Sequence, residues 1–379
     1  MRTRDIVTQM PRSGIREIMD LAWKTPNCLH LEVGEPDFQT PEHIREGGIR
    51  AIVDGKTRYT PNAGIPELRS AIADKILRTN GYQVEPTQII VASGAVEAIF
   101  ASLVTMLNPG DEILLPDPGW PNFRMMADLL SARIIYYPLR SENGFLPDPQ
   151  EIAERITPRT RVLLVNFPSN PLGSVANVEL LERLYAVAQA HDLWIVSDEC
   201  YDQVVFEESS PSPARIDPDG RVIATYSFSK TYAMTGWRVG YAAVPKGLAE
   251  TLSKVQEPLI SCVSGPSQYA ALAALEGPQE RVTEMVDAYR ARRDAALSAC
   301  DELGLTYLVP KGAFYLWLSI EGRDSTDFAL DLINKKSVAI APGSAFGENG
   351  NGWVRISLAN SAEAVVKGIH AIAEVKNEC

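Results

Sequence analysis

The chain has 379 residues, 45% of them hydrophobic and 22% charged, and its 36 basic against 48 acidic side chains give a net charge of −12. That balance fits a globular protein of two domains, or one large domain with an appended lobe, and argues against nucleic acid or an anionic membrane as a general partner. Five cysteines without a Cys-x-x-Cys pair and four histidines without ligand spacing argue against a protein-bound metal and fit a reducing cytoplasm.

In chain order, residues 1–10 are polar, with Arg2, Arg4 and Asp5, and hold no apolar core of signal-peptide length. An apolar run at 89–92 predicts a strand, and Ser93-Gly94 then leads into a 12-residue apolar stretch, 96–107, closed by Asn-Pro-Gly-Asp. That stretch is too short to cross a bilayer and predicts a buried helix. A helix opening after a glycine presents free amides to an anion, here those of Ala95 and Val96.

Further strands are predicted at 112–115, 133–137, 161–166, 193–197, 222–226 and 239–243. Several are continuous apolar runs, as in strands covered on both faces. Between 166 and 193, Val178, Leu181, Leu184, Tyr185 and Ala188 recur at helical spacing behind Asn177, a suitable cap. Strand, crossover helix and strand imply a mostly parallel α/β sheet. Residues 276–303 read as one long polar helix, followed by short alternating strands at 313–319 and 353–358, the pattern of a smaller α+β lobe. The expected division is an N-terminal segment, 1–45, packing on the small lobe, a large domain, 46–280, and a small domain, 281–379.

Chemistry concentrates in Ser227-Phe228-Ser229-Lys230 and the run that follows to Arg238 and Tyr241. Most lysines are solvated surface charges, but this run is too apolar for a solvated face. Desolvation and a nearby cation favour the neutral amine, which attacks an aldehyde. The flanking serines and Arg238 suit a phosphate. The stretch therefore has the makeup of a pyridoxal 5'-phosphate (PLP) site, and such a site needs five further parts. A buried carboxylate must keep the pyridine nitrogen protonated; Asp198 stands where a strand ends, at the edge where α/β proteins bind ligands. Tyr201, three residues on, and Asn170, in a turn fixed by Pro168, Pro171 and Gly173, offer donors to the ring's phenolic oxygen. Trp120, in Asp-Pro-Gly-Trp-Pro, offers a flat apolar cover. The amides of Ala95 and Val96 would take the phosphate, and Arg355, between apolar neighbours on a predicted strand, offers a fork for a carboxylate. Taken singly, each has an ordinary structural explanation; the combination in one chain does not.

With these parts in order, the chain resembles the class I/II aminotransferases, of PLP fold type I. The resemblance runs nearly the whole length, from Leu31-Glu32-Val33-Gly34-Glu35-Pro36-Asp37-Phe38 through Tyr59-Thr60-Pro61-Asn62-Ala63-Gly64 to Arg355-Ile356-Ser357. It implies a large domain with a mixed, mostly parallel sheet and a smaller α+β domain. It also implies that Lys230 carries PLP and moves the substrate proton, that Asp198 pairs with the ring nitrogen, and that Asn170 and Tyr201 hold the phenolic oxygen. Trp120 would stack on the ring, while Ser227, Ser229, Arg238 and the Ala95 and Val96 amides hold the phosphate. Gly34, Asn170 and Arg355 would bind substrate. Tyr59 would reach the phosphate of a neighbouring subunit, so a homodimer is expected.

The resemblance implies transfer of an amino group from an L-amino acid to a 2-oxo acid, 2-oxoglutarate by default. Relatives that use aspartate hold its distal carboxylate with an extra cation, and here Val96 and Ile260 stand at the corresponding places. An apolar or aromatic donor is therefore expected. Aspartate remains an alternative, with Arg12 or Arg16 as the substitute cation. The same residues would also serve a PLP-dependent C–S lyase, or a related reaction on the same bound amino acid. A non-catalytic regulator with this fold would carry a DNA-binding segment, for which residues before Gly34 leave no room.

Overall fold

The computed structural model describes residues 3–10, 13–207 and 209–378. Arg2, Arg12 and Cys379 lie outside the described residues. Two helices, α1 (Asp5–Gln9) and α2 (Gly14–Ala22), precede β1 (Leu29–His30), α3 (Glu42–Val53) and α4 (Pro66–Lys75). The last of these continues as a π-helical turn, Ile76–Asn80, which Gly81 ends in the left-handed conformation at φ 75°.

Alternating strands and helices follow: β2 (Ile89–Ala92), α5 (Ala95–Met106), β3 (Glu112–Asp117), α6 (Pro121–Leu129), β4 (Arg133–Pro138), α7 (Pro149–Glu154), β5 (Thr160–Asn166), α8 (Val178–Ala190), β6 (Trp194–Asp198), β7 (Val222–Ser227), α9 (Phe228–Thr231) and β8 (Gly240–Ala243). From β2 to β7, between 15 and 27 residues separate successive strands, long enough for the crossovers that a parallel sheet requires. These strands form one seven-stranded sheet in the order β2-β8-β7-β6-β5-β3-β4. Only β8 runs against its neighbours, pairing antiparallel with β2 and β7. Every residue of β2, β3, β7 and β8 is buried, whereas β4, at the edge, is largely not. Asn177 caps α8 by accepting the Leu180 N–H at 2.9 Å.

The remainder comprises α10 (Ala249–Ile260), α11 (Gly265–Glu276), α12 (Glu280–Glu302), β9 (Tyr307–Leu308), β10 (Tyr315–Ser319), α13 (Ser325–Lys336), β11 (Val338–Ala339), β12 (Ala341–Pro342), β13 (Trp353–Ser357) and α14 (Ala362–Asn377). A four-stranded sheet, β12-β13-β10-β9, shares one core with α13, α14, Ile18 and Ala22 of α2, and Leu31. The helix expected at 276–303 starts later, at Glu280, because Pro278 forces Gly277 into an extended conformation (ψ −177°) and separates α11 from α12. Within the first 45 residues, α2 and β1 lie on the C-terminal elements, whereas α1 rests on α6, and Arg4, just before α1, donates from Nη2 to Ser131 Oγ, just past α6, at 2.9 Å.

Candidate active site

The β2, β3, β5, β6 and β7 strands share one direction, so their C-terminal ends converge on one edge of the sheet. That edge faces the C-terminal lobe across a cavity of about 790 Å³. Each strand end delivers a residue to it. Ala95 and Val96 follow β2, Trp120 follows β3, Asn170 follows β5, Asp198 ends β6, Ser227 ends β7, and Ser229 and Lys230 follow it. Tyr201, Arg238, Gly34 and Arg355 line the same cavity. Tyr59 does not, and is 92% exposed.

Lys230 lies on the single turn of α9, capped by Ser227 Oγ, which accepts the Ser229 N–H at 3.1 Å. Its Nζ donates to the Gly34 carbonyl at 2.6 Å and stands 5.9 Å from the centre of the Phe314 ring. Burial pushes the Asp198 carboxyl up to about 7, against the opposing pull of the Cys200 N–H and the Lys230 charge. A carboxyl so placed suits a cationic partner, since a neighbouring positive charge restores the ionised form. Burial likewise holds the Tyr201 hydroxyl well above its ordinary value, and that hydroxyl shares a 2.7 Å hydrogen bond with Tyr315.

Arg355, 2% exposed, donates from Nη1 to Asn170 Oδ1 at 2.8 Å and from Nη2 to the Glu32 carbonyl at 2.5 Å. Its guanidinium lies over Tyr315, 4.3 Å from the ring centre, and Phe346, at 4.9 Å. Its Nε is buried without a partner, an arrangement that awaits an acceptor. Because Asn170 presents its oxygen to Arg355, its amide nitrogen is left to donate elsewhere.

The residues fit PLP at each of its functional ends. At the phosphate end, α5 begins without a side-chain cap on Gly94, so its first amides are open to an anion. Gly94 has φ +83°, and a Cβ there would come within 2.6 Å of Arg238 Nη2; a Cβ on Gly240 would come equally close to the Ala95 nitrogen. Both glycines therefore keep a backbone cradle open beside Arg238. Arg238 itself holds φ +54°, a conformation costly for a side-chain-bearing residue and concentrated at functional sites. Asp198, Trp120, Asn170 and Tyr201 line the part of the cavity where the ring would lie, and Lys230 would meet the aldehyde.

The sequence reading did not single out several residues that line the cavity. Tyr315 bonds Tyr201 and carries Arg355, and its position in a short alternating strand gave no sign of this. From α2 and its cap come Ser13, Ile15, Met19 and Asp20, beside the Arg16 already named, and opposite them Asn122 and Met125 of α6. Ile260 is absent from the lining, whereas Val96 is part of it. Among the described residues no cluster of three or more potential metal ligands exists, and no helix is long and apolar enough to cross a membrane.

Residues 26–372 match the family model described as aminotransferase class I and II. An aspartate aminotransferase of Pyrococcus horikoshii is 37% identical over 372 residues, covering 97% of this chain and 95% of the relative. An aromatic-amino-acid aminotransferase of Thermococcus litoralis is 37% identical over 385 residues, covering 100% of this chain and 99% of the relative. Among solved structures, the aspartate aminotransferase of Thermus thermophilus with maleate superposes with a TM-score of 0.94 at 37% identity, covering 99% of this chain and all of that one.

Proposed function

Since this chain belongs to the class I and II aminotransferases, we propose that the cavity binds PLP on Lys230 and transfers the amino group of an apolar or aromatic L-amino acid to 2-oxoglutarate. The observation that carries this reading is the convergence of Lys230, Asp198, Asn170, Tyr201 and Arg355 on one cavity, with an uncapped helix N-terminus beside Arg238 at its far end. Bound PLP supplies an electron sink for charge developing at the substrate's α-carbon. The rest falls to the chain. Asp198 would keep a proton on the ring nitrogen, while Asn170 and Tyr201 would donate to the phenolic oxygen. Ser227, Ser229, Arg238 and the Ala95 and Val96 amides would hold the phosphate, and Trp120 would cover the ring. Arg355, with Gly34 and Asn170, would orient the α-carboxylate, so that the Lys230 amine would be placed to take the proton from the α-carbon.

The substrate's side chain would meet Ile15, Met19, Val96 and Met125, an apolar wall with two adaptable methionines. A distal carboxylate facing Val96 would be desolvated without a partner, which is costly. Aspartate is the second reading, favoured by Arg16, which lines the same cavity, and by the names of the Pyrococcus and Thermus relatives. A panel of donors with 2-oxoglutarate separates them. The first reading expects higher kcat/KM for phenylalanine, tyrosine or leucine than for aspartate, and a strong preference for aspartate would replace it with the second.

We also take the active form to be a homodimer in the cytoplasm. Its support is Tyr59, which is too exposed to serve its own chain's cavity, and the exposed Ile49, Ile52 and Val53 on α3. A division near residues 45 and 280 is supported by the core around β10 and β13, which is drawn mostly from residues before 45 and after 280, with Tyr201, Val204, Phe206 and Ala233 joining it from the large domain.

A further inference from the structure

The end of β6 and the turn that follows it have two faces. Asp198 and Tyr201 line the cavity, whereas Glu199 and Asp202 do not and are buried in the core. The turn is closed by the Asp202 N–H bonding the Glu199 carbonyl at 3.1 Å and the Val204 N–H bonding the Tyr201 carbonyl at 2.8 Å. Its core face is held at two points. Glu199 accepts from Ser212 Oγ at 2.7 Å. Asp202 forms an ion pair with Lys75 and accepts from Asn80 Nδ2 at 3.1 Å, while Lys75 Nζ also donates to Asn80 Oδ1 at 2.9 Å.

Lys75, Asn80 and Asp202 thus close a three-membered ring of contacts, and all three are buried. The π-helical turn makes this possible. Its wider winding brings the side chain five positions on, that of Asn80, back over Lys75, where a regular α-helix would bring the fourth. The lysine ammonium also stands 4.8 Å from the centre of the Tyr226 ring on β7, the strand that leads to Lys230. A buried ion pair is weak evidence for stability, because apolar residues of similar volume hold a core as well. What apolar residues do not reproduce is a directional hold on Asp202.

We propose that Lys75 is a positioning residue for the reaction, which through Asp202 fixes the turn that presents Asp198 and Tyr201 to the cofactor ring. This rests on the reading that the PLP ring lies against Asp198. Asp198 is the last residue of β6, and its carboxylate accepts the Cys200 N–H of the turn that carries Tyr201, so a shift of the turn misplaces Tyr201 and disturbs the Asp198 carboxylate together. The loss should appear in the cofactor's electronics and in kcat more than in KM, since Arg355 lies on a different element, β13.

The test compares Lys75→Gln, Lys75→Arg and the apolar replacement Lys75→Met/Asn80→Leu/Asp202→Leu with the native holoenzyme. Four quantities are read: thermal stability, the site of borohydride labelling, the pH midpoint of the bound cofactor's visible absorption, and kcat against KM. The expected result is label on Lys230 throughout, a displaced midpoint, and kcat lower by about 10- to 100-fold in the charge-removing variants with KM little changed. Lys75→Arg should recover the native midpoint, and the apolar replacement should recover stability without recovering midpoint or kcat. A native midpoint and kcat in Lys75→Gln or in the apolar replacement, whatever the change in stability, would overturn the proposal. Failure to label Lys230 in the native enzyme would instead overturn the cofactor reading.

Discussion

Asp198 and Glu199 are neighbours with opposite surroundings and the same electrostatic tendency. Burial pushes each carboxyl up to about 7, from ordinary values of 3.8 and 4.5. A carboxyl raised in the folded state binds a proton that the unfolded chain has released, so its contribution to stability is fully present below about pH 4 and is lost as pH rises towards 7. Cofactor-free protein should therefore lose stability across that window, more than cofactor-loaded protein, in which a cationic ring nitrogen offsets the charge on Asp198. Asp198→Asn should flatten the profile of the cofactor-free form while lowering kcat far more than cofactor affinity. Thermal melts from pH 4 to 8, with and without cofactor, decide this; identical slopes in both forms would contradict it. Borohydride reduction followed by peptide mapping should place the cofactor on Lys230, and Lys230→Ala should bind it without covalent attachment or turnover. Arg355→Lys should weaken every substrate by ~1–3 kcal/mol, because a point charge cannot replace the fork in a desolvated site. At this scale the sequence exposed the residues whose chemistry is unusual for their surroundings, such as Lys230 and Asp198. It concealed Tyr315 and Lys75, whose partners are 114 and 127 residues distant. No local pattern marks a contact of that range.

Among the elements, the strands were the most legible. All seven strands of the large sheet lie within two residues of the runs that predicted them, because buried parallel strands leave uninterrupted apolar stretches. The α12 start was misplaced because polar residues continue through the Gly277-Pro278 break. The π-helical turn at Ile76–Asn80 leaves no signature in a sequence that reads as ordinary helix. The elements also carry their own tests. Gly240→Ala would place a Cβ 2.6 Å from the Ala95 nitrogen, the Gly94 carbonyl carbon and the Tyr226 carbonyl oxygen, displacing the α5 N-terminus and β7 from β8. The expected outcome is cofactor affinity at least about 10-fold weaker, with the fold intact, read by equilibrium dialysis. By contrast, Asn177→Ala removes the cap of α8, remote from the cavity, and should cost ~1 kcal/mol of stability without altering cofactor affinity.

For the molecule as a whole, the two lobes meet at one cavity whose floor is a row of strand ends and whose far wall is Arg355, Tyr315 and α2. The one predicted site residue that lies apart from it is Tyr59, and a second subunit would give it a place. Mixing Tyr59→Phe with Lys230→Ala chains should produce heterodimers with one intact site, and activity above either parent; none above the parents would contradict a shared site. The most direct test of the central claim, that this cavity exchanges an amino group through a cofactor on Lys230, is a half-reaction. Holoenzyme is mixed with phenylalanine in the absence of a 2-oxo acid, and product is counted per chain. The account predicts a single equivalent of phenylpyruvate per site, no ammonia, a change in the cofactor's absorption, and recovery with an equal amount of glutamate when 2-oxoglutarate is added. Continued release of product and ammonia without an acceptor, or label and turnover that survive Lys230→Ala, would contradict it.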